Sequence, residues 1–172
     1  IPVVPDLLLE RGLAAEHRVV RVAGIDEAGR GALAGPVFAA AVVLPLDDTS
    51  LKPLTGVRDS KLLTPAARER LFPLICERAL CFGVGYATAE SIDRLGILPA
   101  TRQAMADAIA GLSPMAEALL IDGPIRLDAI ALPQRPIIRG DQRSLCIAAA
   151  SVLAKVSRDR YMVALGERVP DY

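Results

Sequence analysis

Two adjacent carboxylates, Asp26 and Glu27, leave an apolar segment and stand directly before Gly29-Arg30-Gly31. Side-by-side acids at the exit of a buried strand repel each other and lose hydration. A divalent cation would remove that cost. Glycines on both sides of Arg30 let the backbone approach something large and anionic, and a guanidinium forks onto phosphate. The stretch from Val20 to Pro36 therefore reads as half of a metal site joined to a phosphodiester contact.

Two further acids, Asp122 before Gly123-Pro124 and Asp141 after Gly140, also end apolar segments. The ends of strands in an open α/β sheet are where ligands bind. Ligands made only of oxygen point to a hard cation, Mg²⁺ or Mn²⁺. Four carboxylates suffice for two such ions about 3.5–4 Å apart, the spacing used for in-line attack on phosphate. Each feature has a plainer reading as well. Asp122 suits a turn, and Asp141 suits the cap of the helix that follows. Asp59-Ser60-Lys61 reads as a solvated turn, and Lys155 with Arg158-Asp159-Arg160 as a charged helix face with local ion pairs. The Gly29-Arg30-Gly31 turn does not match the nucleotide-binding loop G-x-x-x-x-G-K-[ST].

The elements that must position these residues follow from apolar spacing. Residues 1–19 read as a short helical arm with Leu7-Leu8-Leu9 as its apolar face, and His17, the single histidine, as an ordinary surface residue. Val19 to Ile25 and Val37 to Leu44 read as two strands of an antiparallel hairpin across a Gly-rich turn. Residues 45–58 read as a loop. Thr64 caps a helix that starts at Pro65 and turns Leu71, Leu74 and Ile75 to the core. Leu80 to Ala87 is a third strand, followed by a short helix capped by Thr88 or Ser91. Pro99 to Leu112 is a helix with Met105, Ala108, Ile109 and Leu112 on one face. Two short strands follow, Ala118 to Ile121 and Pro136 to Ile138. From Ser144 to Leu165 the apolar residues recur at helical spacing, so this helix packs on the sheet. The pattern predicts an α/β fold, a mixed five-stranded sheet with helices on both faces, and leaves the strand order open.

The chain of 172 residues is long enough for one domain with a real core. Hydrophobic residues make up 52 %, with a mean hydropathy of +0.38, as expected of an α/β protein with buried strands. No apolar run is long enough to span a bilayer, and residues 1–15 lack the pattern of a signal peptide. Three cysteines, Cys76, Cys81 and Cys146, lack zinc-like spacing and fit reduced, cytoplasmic thiols. A formal net charge of zero argues against bulk electrostatic attachment to nucleic acid but leaves room for a local basic groove. Arginine greatly outnumbers lysine, and arginine is the better phosphate fork. Tryptophan is absent, which argues against a surface stack of bases.

Several segments together resemble the type 2 ribonuclease H (ribonuclease HII) family. They are Gly24-Ile25-Asp26-Glu27-Ala28-Gly29-Arg30-Gly31 with Gly35-Pro36, Asp59-Ser60-Lys61, Ile121-Asp122-Gly123, Gly140-Asp141, and Ala148 to Val156 with Arg158-Asp159. The resemblance runs from Val20 to Met162. It implies a ribonuclease H-like fold in one catalytic domain, with a helical C-terminal extension. It also implies endonucleolytic cleavage of RNA in RNA–DNA hybrids and at single ribonucleotides in duplex DNA, with two Mg²⁺ or Mn²⁺ ions, giving 3′-hydroxyl and 5′-phosphate ends. The family's four catalytic, metal-holding acids fall on Asp26, Glu27, Asp122 and Asp141. Its substrate-reading motif falls on Gly29, Arg30 and Gly31, and Lys61 falls near the substrate backbone. The family continues with a segment whose tyrosine reads the RNA–DNA junction. This chain stops at Tyr172, which matches an earlier aromatic. A monomer is the default expectation. The rival readings are a non-catalytic nucleic-acid-binding module and a metal-dependent phosphatase for small phosphomonoesters.

Overall fold

A computed structural model describes residues 4–32 and 34–168. Strands β1 (Val22–Ala28) and β2 (Val37–Val43) form the expected antiparallel hairpin, with Asp26 opposite Ala40. The third strand, β3 (Cys81–Ala87), adds antiparallel to β2. On the other side of β1, β4 (Ala118–Asp122) pairs parallel, and β5 (Gln134–Ile137) pairs parallel to β4. The sheet is mixed and five-stranded, in the order β3-β2-β1-β4-β5.

Helices cover both faces. On one side lies α5 (Leu145–Arg168), whose residues from Leu145 to Ala154 are all buried. A helix that is apolar all round belongs inside the protein, and its run of alanines lets β1 and β2 come close. Gly24 marks the tightest approach. A Cβ there would stand 2.3 Å from the Cys146 carbonyl carbon, so only glycine lets β1 rest on the start of α5. Helix α2 (Pro65–Arg78) packs beside α5 through Leu71 and Ile75. Its start is fixed by Thr64, whose hydroxyl accepts from the Ala67 N–H at 3.1 Å, a cap worth about 1 kcal/mol. The opposite face carries α4 (Ile97–Ala110), preceded by the short α3 (Ala89–Leu95), which Thr88 caps. Met105, Ala108 and Leu112 pack there on Ile25, Ala39 and Ala41.

Several element bounds differ from the sequence expectation; the fourth helix spans Ile97–Ala110, two residues ahead of Pro99–Leu112, and the last runs on to Arg168. Strand β1 begins at Val22 and runs through Asp26 and Glu27, so both acids lie within it and not beyond its end. The last strand ends at Ile137, leaving Ile138 exposed. Helix α1 (Leu8–His17) buries Glu10, Leu13 and Ala14, with Leu7 buried just ahead of it, whereas Leu8 faces solvent. The inward face of α1 is thus turned to place a carboxylate in the core. His17 lies on the surface, beside Glu16.

Candidate active site

The site forms where the parallel strands end. Residues of equal parity on β1 share a face, so Asp26 points to the same side as Gly24, toward α5. Asp122 ends the parallel neighbour β4, in register just beyond the Ile25–Ile121 pair. The chain leaving β5 enters a tight turn, Gly140–Gln142, that carries Asp141. Neighbours on a strand normally point to opposite faces. Here Asp26 Oδ1 folds back to accept the Glu27 N–H at 2.8 Å. One carboxylate oxygen from each of Asp26, Glu27 and Asp122 then lies within 4.8 Å of the other two. Asp141 adjoins this trio. Its backbone N–H donates to Asp122 Oδ1 at 3.1 Å, and it is buried.

Electrostatics single out the cluster. Burial, then the charges of Asp122 and Glu27, hold the Asp26 carboxyl well above the usual carboxylate range. Burial also raises Glu27, against the opposing pull of its hydrogen bond with Asp26 and of the Arg30 guanidinium. Asp122 is raised by burial too, with the N–H groups of Asp141 and Gly140 pulling the other way. Asp141 reaches about 7, through burial first and then the charges of Asp122 and Asp59. Glu27 Oε2 is buried without a hydrogen-bond partner among the described residues. An orphaned acceptor among mutually repelling acids fits a hard divalent cation, which would satisfy the oxygen and quench the repulsion.

The basic residues divide. Arg30 Nη1 stands 3.8 Å from Glu27 Oε1, so the guanidinium joins the Gly29–Gly31 turn to the acid cluster. Gly29 has φ +93°, and a Cβ there would stand 2.2 Å from Arg158 Nε. Arg158 donates to the carbonyls of Pro36 at 2.9 Å and Ala34 at 2.8 Å, which clamps the far side of this turn. The sequence reading placed Arg158 on a charged helix face, and it instead holds a loop. The expected local pair is Lys155 with Asp159, at 2.9 Å. Lys61 is exposed, and its charge draws down both Asp122 and Asp141.

Asp59 is the residue that the sequence reading missed. It is buried, not a solvated turn, and its carboxylate accepts the Lys61 N–H at 3.0 Å while facing Asp141. The Asp59-Ser60-Lys61 turn is pinned from two sides, by Ser151 Oγ accepting the Ser60 N–H at 3.1 Å and by Arg68 donating to the Ser60 carbonyl at 2.9 Å. An acid beside a lysine is too common a pattern to reveal such burial. Tyr172 lies outside the described residues.

A mixed sheet of this order with carboxylates at its parallel strand ends defines a ribonuclease H-like hydrolase of phosphodiester bonds. The ribonuclease H2 of Pyrococcus horikoshii superposes with a TM-score of 0.73 at 27 % identity, over 86 % of this chain and 76 % of that one. The ribonuclease HII family model matches residues 23–172. Ribonuclease HII of Pelobacter propionicus is 53 % identical over 169 residues, 97 % of this chain and 74 % of the relative. That of Geobacillus thermodenitrificans is 54 % identical over 154 residues, 90 % of this chain and 57 % of the relative. The chain belongs to the ribonuclease HII family and is an endoribonuclease of the ribonuclease H type.

Proposed function

We propose that the chain hydrolyses the RNA strand of RNA–DNA hybrids and also cuts at a single ribonucleotide within duplex DNA, leaving 3′-hydroxyl and 5′-phosphate ends. The observation that carries this reading is the convergence of Asp26, Glu27 and Asp122 within 4.8 Å, with Asp141 hydrogen-bonded beside them. These four acids would hold two Mg²⁺ or Mn²⁺ ions. Bound there, the ions supply Lewis acidity at the phosphate and a nucleophile at neutral pH. One water is consumed. Its hydroxyl joins phosphorus, the bond to the 3′-oxygen breaks, and that oxygen leaves with the proton.

The protein's own groups orient the substrate. Arg30 forks onto a phosphate while staying beside Glu27. The backbone at Gly29 and Gly31 approaches the ribose, whose 2′-hydroxyl distinguishes RNA from DNA. Lys61 contacts the strand as a point charge. Asp26, Glu27, Asp122 and Asp141 are thus the catalytic set, and Gly29, Arg30, Gly31 and Lys61 the substrate-contacting set. One catalytic domain does this as a monomer. Its free thiols suit the reducing interior of a cell. A binding-only module would have no use for buried acids that oppose one another.

The test is incubation of a duplex carrying one ribonucleotide, and of a hybrid, with Mg²⁺ and with Mn²⁺, followed by end-group analysis. Metal-dependent cuts with 3′-hydroxyl ends are expected. Hybrid binding without cleavage in either metal would overturn the reading in favour of a binding module.

A further inference from the structure

We propose that Glu10 is a positioning residue for Asp141, acting through the segment that joins the Asp141 turn to α5. Glu10 lies on α1, ahead of the family-matched residues 23–172. Its side chain is wholly buried, at 0 % exposure. Glu10 Oε2 accepts from the Ser144 hydroxyl at 3.0 Å and from the Cys146 N–H at 2.9 Å. The chain just before α1 pairs with the same segment. The Leu145 N–H donates to the Asp6 carbonyl at 2.8 Å, and the Asp6 N–H to the Arg143 carbonyl at 3.3 Å. Residues 143–146 are therefore gripped from the N-terminal arm by backbone and side chain together.

That grip passes directly to the catalytic acid. The Ser144 N–H donates to the Gly140 carbonyl at 2.7 Å, closing the turn in which Asp141 sits. Asp141 in turn donates its N–H to Asp122 Oδ1. The route Glu10–Ser144–Gly140–Asp141–Asp122 consists of hydrogen bonds and covalent neighbours throughout.

A cap alone does not account for the choice of side chain. Ser144 already caps α5, its hydroxyl accepting the Ile147 N–H at 3.1 Å. Burying a carboxylate is costly, and Glu10 Oε1 has no hydrogen-bond partner among the described residues. The arm has other anchors that hold it in place without Glu10. Leu7 and Leu13 are buried, Arg11 pairs with Asp48 at 2.8 Å, and Glu16 pairs with Arg135 at 2.5 Å. What Glu10 adds is a two-point hold on the entry to α5, which fixes where the Asp141 turn ends. Groups hydrogen-bonded to metal ligands affect metal affinity or rate by about 10–100-fold, and Glu10, which acts one link further back, is assigned the low end of that range.

The inference rests on the metal-site reading above, and its test separates the two. Mn²⁺ is titrated against melting temperature for the wild type, Glu10→Ala, Glu10→Gln and the control Leu112→Ala, whose truncation lies on the opposite face of the sheet. kcat and KM are measured on the one-ribonucleotide duplex well below each melting point. For Glu10→Ala, the Mn²⁺ concentration needed for a given rise in melting temperature should increase about tenfold and kcat fall about tenfold, with KM little changed. Glu10→Gln keeps an acceptor oxygen for both bonds and should restore both values. Should Glu10→Ala fail to fold, Glu10→Asp, one methylene short, carries the same expectation. A Glu10→Ala protein that loses stability as Leu112→Ala does, yet keeps the wild-type Mn²⁺ dependence and kcat, overturns the proposal and leaves the metal site standing. A wild type whose melting temperature ignores Mn²⁺ overturns both.

Discussion

The backbone N–H of Asp141 donates to Asp122 Oδ1 at 3.1 Å, so one acid of the site holds the turn that carries another. The bond draws the Asp122 carboxyl downward, against the burial that raises it. The two acids are therefore coupled in position as well as in charge.

Asp122→Asn tests the difference between these roles. An asparagine oxygen still accepts the Asp141 N–H, so the turn should stay in place. Cleavage of a hybrid should fall below detection. In chelator the variant should melt higher by about 2–4 °C, the rise that about 1 kcal/mol produces in a chain of this size. Normal cutting by this variant would remove Asp122 from the ligand set.

Divalent metal should stabilise the folded chain, because the acids meet only when it is folded. At a concentration 100 times Kd the gain is about 2.7 kcal/mol. A calorimetric scan with and without Mg²⁺ or Mn²⁺ measures it. Asp26→Asn should abolish the increment, since Asp26 belongs to the trio whose oxygens meet.

The pH dependence has a definite sign. Asp141 moves from an ordinary 3.8 up to about 7, and Asp26, Glu27 and Asp122 shift the same way. The folded protein thus holds protons that the unfolded chain has released. The stability from this source is fully present below the unfolded value and is lost as pH rises through the folded one. In chelator the melting temperature should decline between about pH 4 and pH 7. The increment from Mn²⁺ should grow over the same window, because protons compete for the same oxygens. A flat profile in chelator would contradict the burial of these acids.

Gly29→Ala should be far more damaging than Gly31→Ala. At Gly29, φ is +93° and Arg158 fills the space a Cβ would need, whereas a Cβ at Gly31 meets nothing within 4 Å among the described residues. Strained backbone of this kind costs about 1–3 kcal/mol. Gly29→Ala should lower the melting temperature and raise KM for the one-ribonucleotide duplex. Gly31→Ala should leave the melting temperature unchanged.

Much of this was legible in the residue pattern. The hairpin, the Thr64 cap and the buried run of α5 follow from local preferences that the tertiary structure does not oppose. Asp26 and Glu27 stood out because the exit of a buried strand is a costly place for two acids, whereas Asp122 and Asp141 read alone as a turn former and a cap and joined them through the family resemblance. Burial imposed from elsewhere in the chain was not legible. Glu10 carries no sequence signal of its own, and its burial comes from the start of α5 resting on it. Asp59 reads as a turn former until Ser151 and Arg68 fix the turn against the acids. Arg158 reads as a helix-face charge because its partners are the carbonyls of Ala34 and Pro36, and a carbonyl leaves no mark in a sequence. The strand order depends on the parallel pairing of β1 with β4, which no local signal encodes.

Strand β1 lies next in sequence to its hairpin partner, but its parallel neighbour follows only after the intervening helices, and the Asp141 turn comes later still. During synthesis the Asp26–Glu27 pair must therefore wait for most of the polypeptide before other carboxylates reach it. Contacts this distant carry a large loop-closure cost and form late. A nascent chain that has made only the hairpin holds two of the four acids, and the set is complete only once the sheet and the turn after β5 are in place.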